Sequence, residues 1–305
     1  WVKKTMAGLV VAFSVGLAGC NAAQSEQLIG KDVAIYKNAA IYTVNPDQPW
    51  AEAVVIKGGI ITFVGSDKDV AQYESDGANV IDLNGKMVMP GFHDVHIHPI
   101  ESGSDNNNFV LNTDETNAEN YISVIKRAAK DYPDSEWLVG YGHDINTLLD
   151  AKRNPVDILD EAVSDRPVII MEQTSHSMWV NSKALALAGF TDNYEDPVGG
   201  VIMRQEVGGK PNGILIDNAG EMVMHLAMEA TPERLKKDYV GMVEYTLPEL
   251  AKHGITSISD ARAYWKRGHH DTWVQLAQDN ALTVRASVGL WAYPEDEDKT
   301  QFEKL

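Results

Sequence analysis

Cysteine is almost missing from this chain, since Cys20 is the only one among 305 residues. A lone cysteine excludes an intramolecular disulfide, and we do not expect Cys20 to bind metal or to catalyse. Cations are also few: 26 Lys and Arg against 44 Asp and Glu give a formal net charge of −18. This balance, without any Lys/Arg-rich run, argues against a nucleic-acid partner and against a basic membrane-binding surface. We interpret it as a solvated acidic surface rather than an acidic binding site.

Other common patterns are missing as well. The sequence contains no His-Glu-x-x-His motif, which excludes a zinc metalloprotease of that type. It contains no internal repeat and no low-complexity tract. Hydrophobic residues make up 44% of the chain, as in an ordinary globular protein, and the length allows either one large α/β unit or two domains.

The first twenty residues have the pattern of a secretory signal peptide. Lysines at 3–4 precede an apolar run at 6–18, which is too short for a comfortable membrane span, and Leu-Ala-Gly-Cys follows at 17–20. This box resembles that of bacterial lipoproteins, which implies that Cys20 is lipidated and anchors an exported protein to the membrane, facing the periplasm. Asn21 in place of Asp suggests the outer membrane. An ordinary signal peptide with an incidental cysteine and an uncleaved anchor are the alternatives.

The next part of the chain is rich in β-forming residues. Residues 21–30 are predicted to be a flexible tether, and residues 31–88 carry many β-branched side chains. Gly58-Gly59 predicts one hairpin turn, and Asn84-Gly85 predicts the tip of another. The sequence therefore predicts a small β-sandwich subdomain over 31–88.

From residue 89 onward, buried strands alternate with helices, which is typical of a parallel sheet or barrel. Helices are predicted to begin at Asn154-Pro155 and at Thr231-Pro232, and Pro248 is expected to kink the latter. A Gly-rich stretch near 190–225 predicts a β-hairpin inserted between barrel elements. We count four or five barrel strands, whereas a complete barrel has eight. The predicted fold class is α/β, an incomplete (β/α)8 barrel after the small β-sandwich.

A turn and a short strand are predicted over 90–98, where the sequence reads Pro-Gly-Phe-His-Asp-Val-His-Ile-His. Side chains alternate between the two faces of a strand, so Asp94, His96 and His98 share one face. The apolar residues between them are expected to bury on the other face. Two imidazoles placed in this way can both bind a single divalent ion. The bare pattern also fits a chance pair that is satisfied by water or by a carboxylate.

Five segments, taken in chain order, carry a resemblance to a known family. They are DLNGKMVMPGFHDVHIH (82–98), WLVGYGHD (137–144), NPVDILDEAVSDRPVIIMEQTSHSMWVNSKALALAG (154–189), KPNGILIDNA (210–219) and HGITSISDA (253–261). Together they resemble the amidohydrolase superfamily, in particular amidohydrolase family 3 and its N-substituted formamide deformylase-like branch. The resemblance covers 32–305 and implies a β-sandwich beside a metal-bearing (β/α)8 barrel.

The resemblance implies hydrolysis of a carbon–nitrogen bond in an amide, a formamide or a cyclic amide of a small-molecule substrate. A divalent metal, usually zinc and present as one or two ions, would polarise the carbonyl and activate water. His96 and His98 are the implied metal ligands. Asp94 is implied to support these ligands rather than to bind metal itself.

Four further residues are candidates for the substrate pocket. His176 matches a recurrent family histidine, and both a substrate contact and a structural hydrogen-bonded role stay open for it. Glu172 at a strand end either contacts metal or substrate or is a buried carboxylate paired with a neighbour. His143 and Asp144 stand where the family commonly has Trp-Asp, at a position expected to line the pocket. The remaining histidines of the helices and connections are expected to be surface or structural: His225, His253, His269 and His270.

Part of the family's site has no matching motif in this sequence. The bridging lysine, the two later histidine ligands and the catalytic aspartate are expected beyond Leu305. The chain also opens with Trp rather than Met, so we expect an N-terminal part of a longer protein that is inactive by itself. The alternative is a non-catalytic lipoprotein that uses the half-barrel as a binding module. Metal content separates the two, because a binding module has no need of stoichiometric zinc.

Overall fold

The computed structural model describes residues 33–74, 77–104 and 108–304. The chain divides after Pro90 into two units, two residues beyond the boundary predicted from the sequence. The predicted signal peptide (1–20), Cys20 and the tether (21–30) lie outside the described residues. Within the described ranges, no helix is long and apolar enough to cross a membrane.

The first unit contains short strands and one short helix. Its elements are β1 (Val33–Lys37), β2 (Ala40–Tyr42), β3 (Trp50–Ala51), β4 (Ala53–Lys57), β5 (Ile60–Gly65), α1 (Asp67–Val70), a 3₁₀ turn (Ala71–Tyr73), β6 (Asn79–Asp82) and β7 (Met87–Val88).

These strands form two sheets, ordered β5-β4-β1-β6 and β3-β2-β7. β4 and β5 pair antiparallel around Gly58 and Gly59, whose φ angles are 57° and 76°. Two consecutive residues with positive φ are the requirement of a type I′ hairpin turn, so the first predicted hairpin is confirmed. The predicted β-sandwich stays a prediction.

The second predicted hairpin is wrong. Asn84 and Gly85 do form a turn with φ angles of 51° and 76°, and the Asp82 carboxylate accepts a hydrogen bond from the Asn84 amide at 2.7 Å. The flanking strands do not pair with each other, because β6 lies parallel to β1 and β7 lies parallel to β2. Turn chemistry determines only the local reversal. Pairing beyond the turn depends on strands that are distant in sequence.

The second unit mixes strands and helices. Its strands are β8 (Phe92–Ile97), β9 (Phe109–Val110), β10 (Leu138–His143), β11 (Val168–Glu172), β12 (Ser177–Val180), β13 (Gly200–Arg204), β14 (Pro211–Asp217), β15 (Ile255–Ala263) and β16 (Arg285–Leu290). Its helices are α2 (Pro99–Gly103), α3 (Tyr121–Asp131), α4 (Ile145–Leu149), α5 (Pro155–Ala162), α6 (Ser182–Leu187), α7 (Asn218–Ala227), α8 (Pro232–Gly241), α9 (Leu247–Lys252), α10 (His269–Gln278) and α11 (Asp298–Lys304). Short 3₁₀ turns cover Ala118–Asn120 and Trp265–Arg267, and a π-helical turn covers Met242–Thr246.

The strands of this unit form two sheets. β8, β15 and β16 are parallel, with β15 in the centre. The other sheet has the order β13-β14-β12-β11-β10-β9, in which β9, β10 and β11 are parallel and the remaining neighbours are antiparallel. The α/β class is confirmed, whereas the incomplete barrel stays a prediction.

The parallel strands β10 and β11 are buried on both faces. Leu138 and Ile170 pack into a cluster with α3 and α5, whereas Val139 and Ile169 pack into a cluster with α6 and α7. Helices on both faces explain why these strands are continuously apolar rather than alternating.

Helix starts follow their sequence signals. Pro155 and Pro232 each open a helix, and the Thr231 side chain accepts a hydrogen bond from the Arg234 amide. The irregularity expected at Pro248 is the π-helical turn just before it. Proline clashes with the carbonyl four residues earlier, and here that position falls inside the π-helical turn.

The Gly-rich stretch does form a hairpin from β13 and β14. β14 also pairs antiparallel with β12, so the hairpin extends the six-stranded sheet. The sequence had not indicated β12, a short strand that directly follows the turn after β11.

Candidate active site

The two histidines predicted as metal ligands lie together where β8 ends. The ring centroids of His96 and His98 are 5.3 Å apart, and their planes are inclined by 78°. The Asp94 carboxylate accepts a hydrogen bond from the backbone amide of His96 at 3.1 Å. Asp94 therefore stabilises the backbone of the strand that carries both imidazoles.

One expectation about this strand is wrong. Ile97 packs against the core of its sheet, but Val95 is 78% exposed. Alternation sets the face on which a side chain lies, but burial also requires a covering layer, and the described residues place none over Val95.

His98 is half-buried, and its Nδ1 is a buried atom without a hydrogen-bond partner among the described residues. Burial, and then the positive charge of Arg262, holds the pKa of His98 below its ordinary value. The neutral imidazole is the form that binds metal. A buried nitrogen left unsatisfied calls for an explanation, and a cation ligated by this pair supplies one.

The residues present therefore fit a divalent cation as part of its ligand set. In the described ranges, no group of three or more His, Cys, Asp or Glu residues is arranged to hold a metal ion. The described site thus offers two imidazole ligands.

β15 brings a buried carboxylate next to this strand. Asp260 pairs in register with Ile97 and is 1% exposed. Its two oxygens accept hydrogen bonds from the Trp273 indole at 2.9 Å and from the Arg262 amide at 3.1 Å. Burial raises the pKa of Asp260 above its ordinary value. Asp260 was not among the residues predicted for the site, although, like Glu172, it is a carboxylate towards the end of a predicted strand.

A buried ion network ties α2, which begins directly after His98, to the end of β15. The Glu101 carboxylate lies 3.0 Å from Nη2 of Arg262 and 3.6 Å from Nη1 of Arg267. Arg267 also pairs with Glu221 of α7. Burial opposes ionisation of Glu101, but the two guanidinium charges outweigh it and hold its pKa below the ordinary value. The network therefore holds in place the helix that follows the histidine pair.

A pocket lies beside this network, with a volume of about 500 Å³ that includes its opening to solvent. Glu101 and Arg267 line one part of it, and Met171 of β11 lines another. Glu101 lies three residues after His98, and Met171 directly precedes Glu172. The pocket therefore lies between α2, which follows β8, and the end of β11, and neither His96 nor His98 is among its lining residues.

Glu172 lies at the carboxyl end of β11 and is 6% exposed. It accepts a hydrogen bond from the Ser177 hydroxyl at 3.0 Å, and that hydroxyl lies 3.2 Å from Nε2 of His143. Because the hydroxyl gives its single proton to Glu172, Nε2 of His143 donates to it. Burial lowers the pKa of His143 to about 3, so the ring is neutral. Glu172 is thus a buried, paired carboxylate, and contacts of Glu172 and His143 with substrate stay predictions.

Asp144 and His176 lie at the same edge of the sheet. Asp144 caps α4 by accepting a hydrogen bond from the Asn146 amide at 2.7 Å. Nδ1 of His176 lies 2.9 Å from Oδ1 of Asp217, and the two side chains are 76% and 53% exposed. All four predicted pocket residues therefore gather at the carboxyl end of β10 and β11. His96 and His98 lie on the other sheet.

The four histidines of the helices and connections divide into two groups. His253 and His270 are exposed. His225 accepts a hydrogen bond from Arg267 at 3.0 Å, and His269 accepts one from the Tyr264 amide at 3.2 Å. Burial lowers their pKa values to about 2 and about 4, respectively.

Sequence reasoning missed Asp217 and the Glu101–Arg262–Arg267 network. Each partner is an ordinary polar residue of a helix, strand or turn, and what makes it notable is contact with a residue far away in the chain. The sequence signal available was position, because Glu101 and Asp217 each lie within a few residues of a strand end.

The fold and this arrangement define an α/β protein with paired histidines at the end of a parallel strand. The sequence model of the amidohydrolase family matches residues 79–305, and the chain belongs to that family. This confirms the predicted membership of amidohydrolase family 3.

Relatives support the same assignment. The chain is 29% identical to Protein LONG AFTER FAR-RED 3 of Arabidopsis thaliana over 228 residues. The aligned region covers 75% of this chain and 38% of that protein. It is 28% identical to N-substituted formamide deformylase of Arthrobacter pascens over 226 residues. That aligned region covers 73% of this chain and 41% of that protein. The chain thus spans less than half the length of these relatives.

Solved structures show the fold. An uncharacterised metal-dependent hydrolase from Pyrococcus horikoshii OT3 superposes with a TM-score of 0.58 over 85% of this chain and 48% of that one, at 22% sequence identity. A second such hydrolase, from Pyrococcus furiosus, gives the same TM-score over 85% of this chain.

Proposed function

We propose that this chain belongs to a metal-dependent hydrolase that cleaves carbon–nitrogen bonds other than peptide bonds in a small-molecule substrate. The observation that carries the proposal is the pair His96 and His98, with the buried and unpartnered Nδ1 of His98. Membership of the amidohydrolase family supports it.

In this proposal His96 and His98 hold a divalent ion, with zinc as the first candidate. The ion supplies Lewis-acid polarisation of the scissile carbonyl and makes water more acidic. His98 contributes a neutral ring, because burial lowers its pKa. Asp94 keeps the ligand strand in its conformation, and the Glu101–Arg262 pair does the same for α2.

The substrate class follows from the family and from one relative. The named activity of the Arthrobacter pascens protein is deformylation of N-substituted formamides. N-substituted formamides are therefore the first probes for this protein, followed by simple amides and cyclic amides.

The test uses the protein expressed from its complete gene. We expect metal analysis to find at least one zinc or other divalent ion per chain, and we expect hydrolysis of at least one of the three substrate classes. His96→Ala and His98→Ala should each lose bound metal and lower kcat/KM by at least about 10³-fold. His253→Ala is the matched control, because His253 is exposed and lies at the end of α9. Full metal binding and full activity in both site variants would refute the proposal.

The second candidate is a lipoprotein that binds a ligand without turning it over. It is favoured if the complete protein lacks stoichiometric metal and leaves all three substrate classes intact. Ligand-induced stabilisation in a thermal-shift screen would then replace turnover as the assay.

We further propose that the protein is exported and anchored by lipid on Cys20, facing the periplasm. The signal-like sequence before Cys20 supports this proposal. In cells fed a labelled fatty acid, the wild-type protein should take up label and fractionate with outer membranes, whereas Cys20→Ala should do neither. Label that persists in Cys20→Ala would contradict the proposal.

A further inference from the structure

No carboxylate among the described residues forms an ion pair with Arg234, which lies on α8. Arg262 and Arg267 of the nearby network, by contrast, each pair with at least one carboxylate. Nη2 of Arg234 donates to the Ala227 carbonyl at 3.1 Å, and Nη1 contacts Sδ of Met228. Its Nε is a buried atom without a hydrogen-bond partner in the described part of the chain. The hydrogen bonds of this guanidinium therefore go to neutral groups.

The surroundings of Arg234 compensate its charge only in part. Burial lowers the pKa of the guanidinium, and the positive charge of Arg267 lowers it further. Asp238, one turn further along α8, and Glu233 act in the opposite direction, but the pKa stays below its ordinary value. A charge that is removed from water is normally paired, so this half-buried guanidinium calls for an anionic partner.

Arg234 lines the pocket beside the Glu101–Arg262–Arg267 network. Glu101 and Arg267 also line it, but Glu101 is shared by two guanidinium groups and Arg267 pairs with two carboxylates. Asp238, the other charged lining residue, is 1% exposed. Among the described lining residues, Arg234 is therefore the cation that can take a new partner.

A second hydrogen-bond donor lines the same pocket. Nδ1 of His269 accepts a hydrogen bond from the Tyr264 amide at 3.2 Å, and burial lowers the pKa of the ring to about 4. In the neutral ring the proton is therefore on Nε2, which donates. His269 and Arg234 together offer donors from two sides to a group that only accepts.

Another part of the pocket wall is apolar. Met171 of β11, Met224 of α7 and Met228 line it. Methionine side chains are flexible and adapt to apolar ligands of irregular shape. The thioether of Met228 is also a weak acceptor, which a stronger acceptor can displace from Arg234. The pocket thus combines an incompletely compensated cation with an adaptable apolar wall.

These features determine the chemical class of the ligand. A carboxylate brings one negative charge, which matches the single charge of Arg234, and both of its oxygens are acceptors. A phosphate dianion brings a second charge, for which the described lining residues hold no further unpaired cation. The methionines favour a ligand whose charged end continues into an apolar chain.

We propose that this pocket is a binding site for a small monocarboxylate with an aliphatic chain. The carboxylate oxygens accept hydrogen bonds from the Arg234 guanidinium and from Nε2 of His269, and the chain lies against the three methionines. Because neither His96 nor His98 lines the pocket, the inference does not depend on the proposed hydrolase function.

The first experiment titrates the protein expressed from its complete gene with sodium hexanoate, by isothermal titration calorimetry. Hexanamide, which has the same shape without the charge, and inorganic phosphate should bind at least about tenfold more weakly than hexanoate. From acetate to hexanoate, the affinity should rise roughly two- to fourfold with each methylene group. Absence of hexanoate binding, equal affinity for hexanamide, tighter binding of phosphate, or no dependence on chain length would each overturn the inference.

Two variants locate the site. Arg234→Gln should weaken hexanoate binding roughly 10- to 100-fold. Arg285→Gln is the matched control, because Arg285 is exposed on β16 and does not line the pocket. Met228→Glu places a carboxylate where the thioether contacts Arg234, so it should raise Tm and abolish hexanoate binding. Unchanged hexanoate affinity in either pocket variant would contradict the assignment.

Binding of the acid to a divalent ion is the competing explanation, and His98→Ala separates the two. This variant removes a predicted metal ligand, yet its affinity for hexanoate should equal that of the wild-type protein. The expectation is the same whether or not the protein hydrolyses a carbon–nitrogen bond. Loss of binding in His98→Ala, with full binding in Arg234→Gln, would place the acid at the metal centre and overturn the inference.

Discussion

At the scale of single residues, the buried side chain of Asn181 joins three segments of the chain. Its carbonyl oxygen accepts hydrogen bonds from the Val168 amide at the start of β11 and from the Ala184 amide in α6. Its amide group donates to the carbonyls of Val163 and Arg166, each at 2.9 Å. The side chain is 0% exposed, so every one of these groups would lose its partner without access to water.

Asn181→Ala should therefore lower the free energy of unfolding by about 3 kcal/mol, from a lost helix cap and unsatisfied buried groups. Asn154→Ala is the control, because Asn154 also precedes a helix but its side chain makes no capping bond in the described structure. It should change stability by less than about 0.5 kcal/mol. Urea unfolding of the three proteins checks both values, and equal losses in the two variants would contradict the argument.

At the scale of elements, the close approach of β14 to its neighbours depends on Gly213. A Cβ there would lie 2.7 Å from the Val180 carbonyl of β12 and 3.0 Å from Cα of Val156 in α5. Its φ of 93° is also unfavourable for any residue with a side chain. This glycine therefore allows the hairpin of β13 and β14 to lie against both a strand and a helix.

Gly213→Ala should accordingly cost roughly 3–4 kcal/mol, the sum of conformational strain and overpacking. Gly189→Ala separates the two contributions, because Gly189 has a φ of 73° but nothing within 4 Å of its Cβ position. That variant should lose only about 1–2 kcal/mol. If denaturant unfolding shows the same loss of stability for both variants, the close approach of β14 to α5 is not the reason why residue 213 is glycine.

At the scale of the whole second unit, buried neutral histidines couple stability to pH. Burial holds the pKa values of His143, His225 and His269 at about 3, about 2 and about 4, whereas the ordinary value is 6.5. Below pH 6.5 the unfolded chain therefore binds protons that the folded chain does not. The stability that these groups confer is complete above pH 6.5 and is lost as pH falls towards their folded values.

We expect each buried histidine to contribute a slope of about 1.4 kcal/mol per pH unit once pH is well below 6.5. The measurement is the free energy of urea unfolding between pH 7 and pH 4.5. His143→Gln should reduce the slope by about that amount, and the difference between the two proteins isolates His143. Identical slopes would show that His143 already titrates near its ordinary value in the folded protein.

Local chemistry explains which elements the sequence could predict. The Gly58-Gly59 hairpin, the helices that begin at Pro155 and Pro232, and the hairpin near 200–217 all follow from residues a few positions apart. Family membership was equally visible, because it rests on motifs that each occupy a short stretch of chain. The paired histidines of β8 belong to the same group, since two residues of one strand two positions apart must share a face.

Only the tertiary structure decided the rest, because it depends on which distant residues meet. β6 and β7 pair with β1 and β2 rather than with each other, although the Asn84-Gly85 turn between them is typical of a hairpin. Strand register placed Asp217 opposite His176, and α2 met β15 through Glu101 and Arg262. Residue type and spacing determine conformation and face within one element, whereas contacts between elements follow from packing, which no single stretch of sequence encodes.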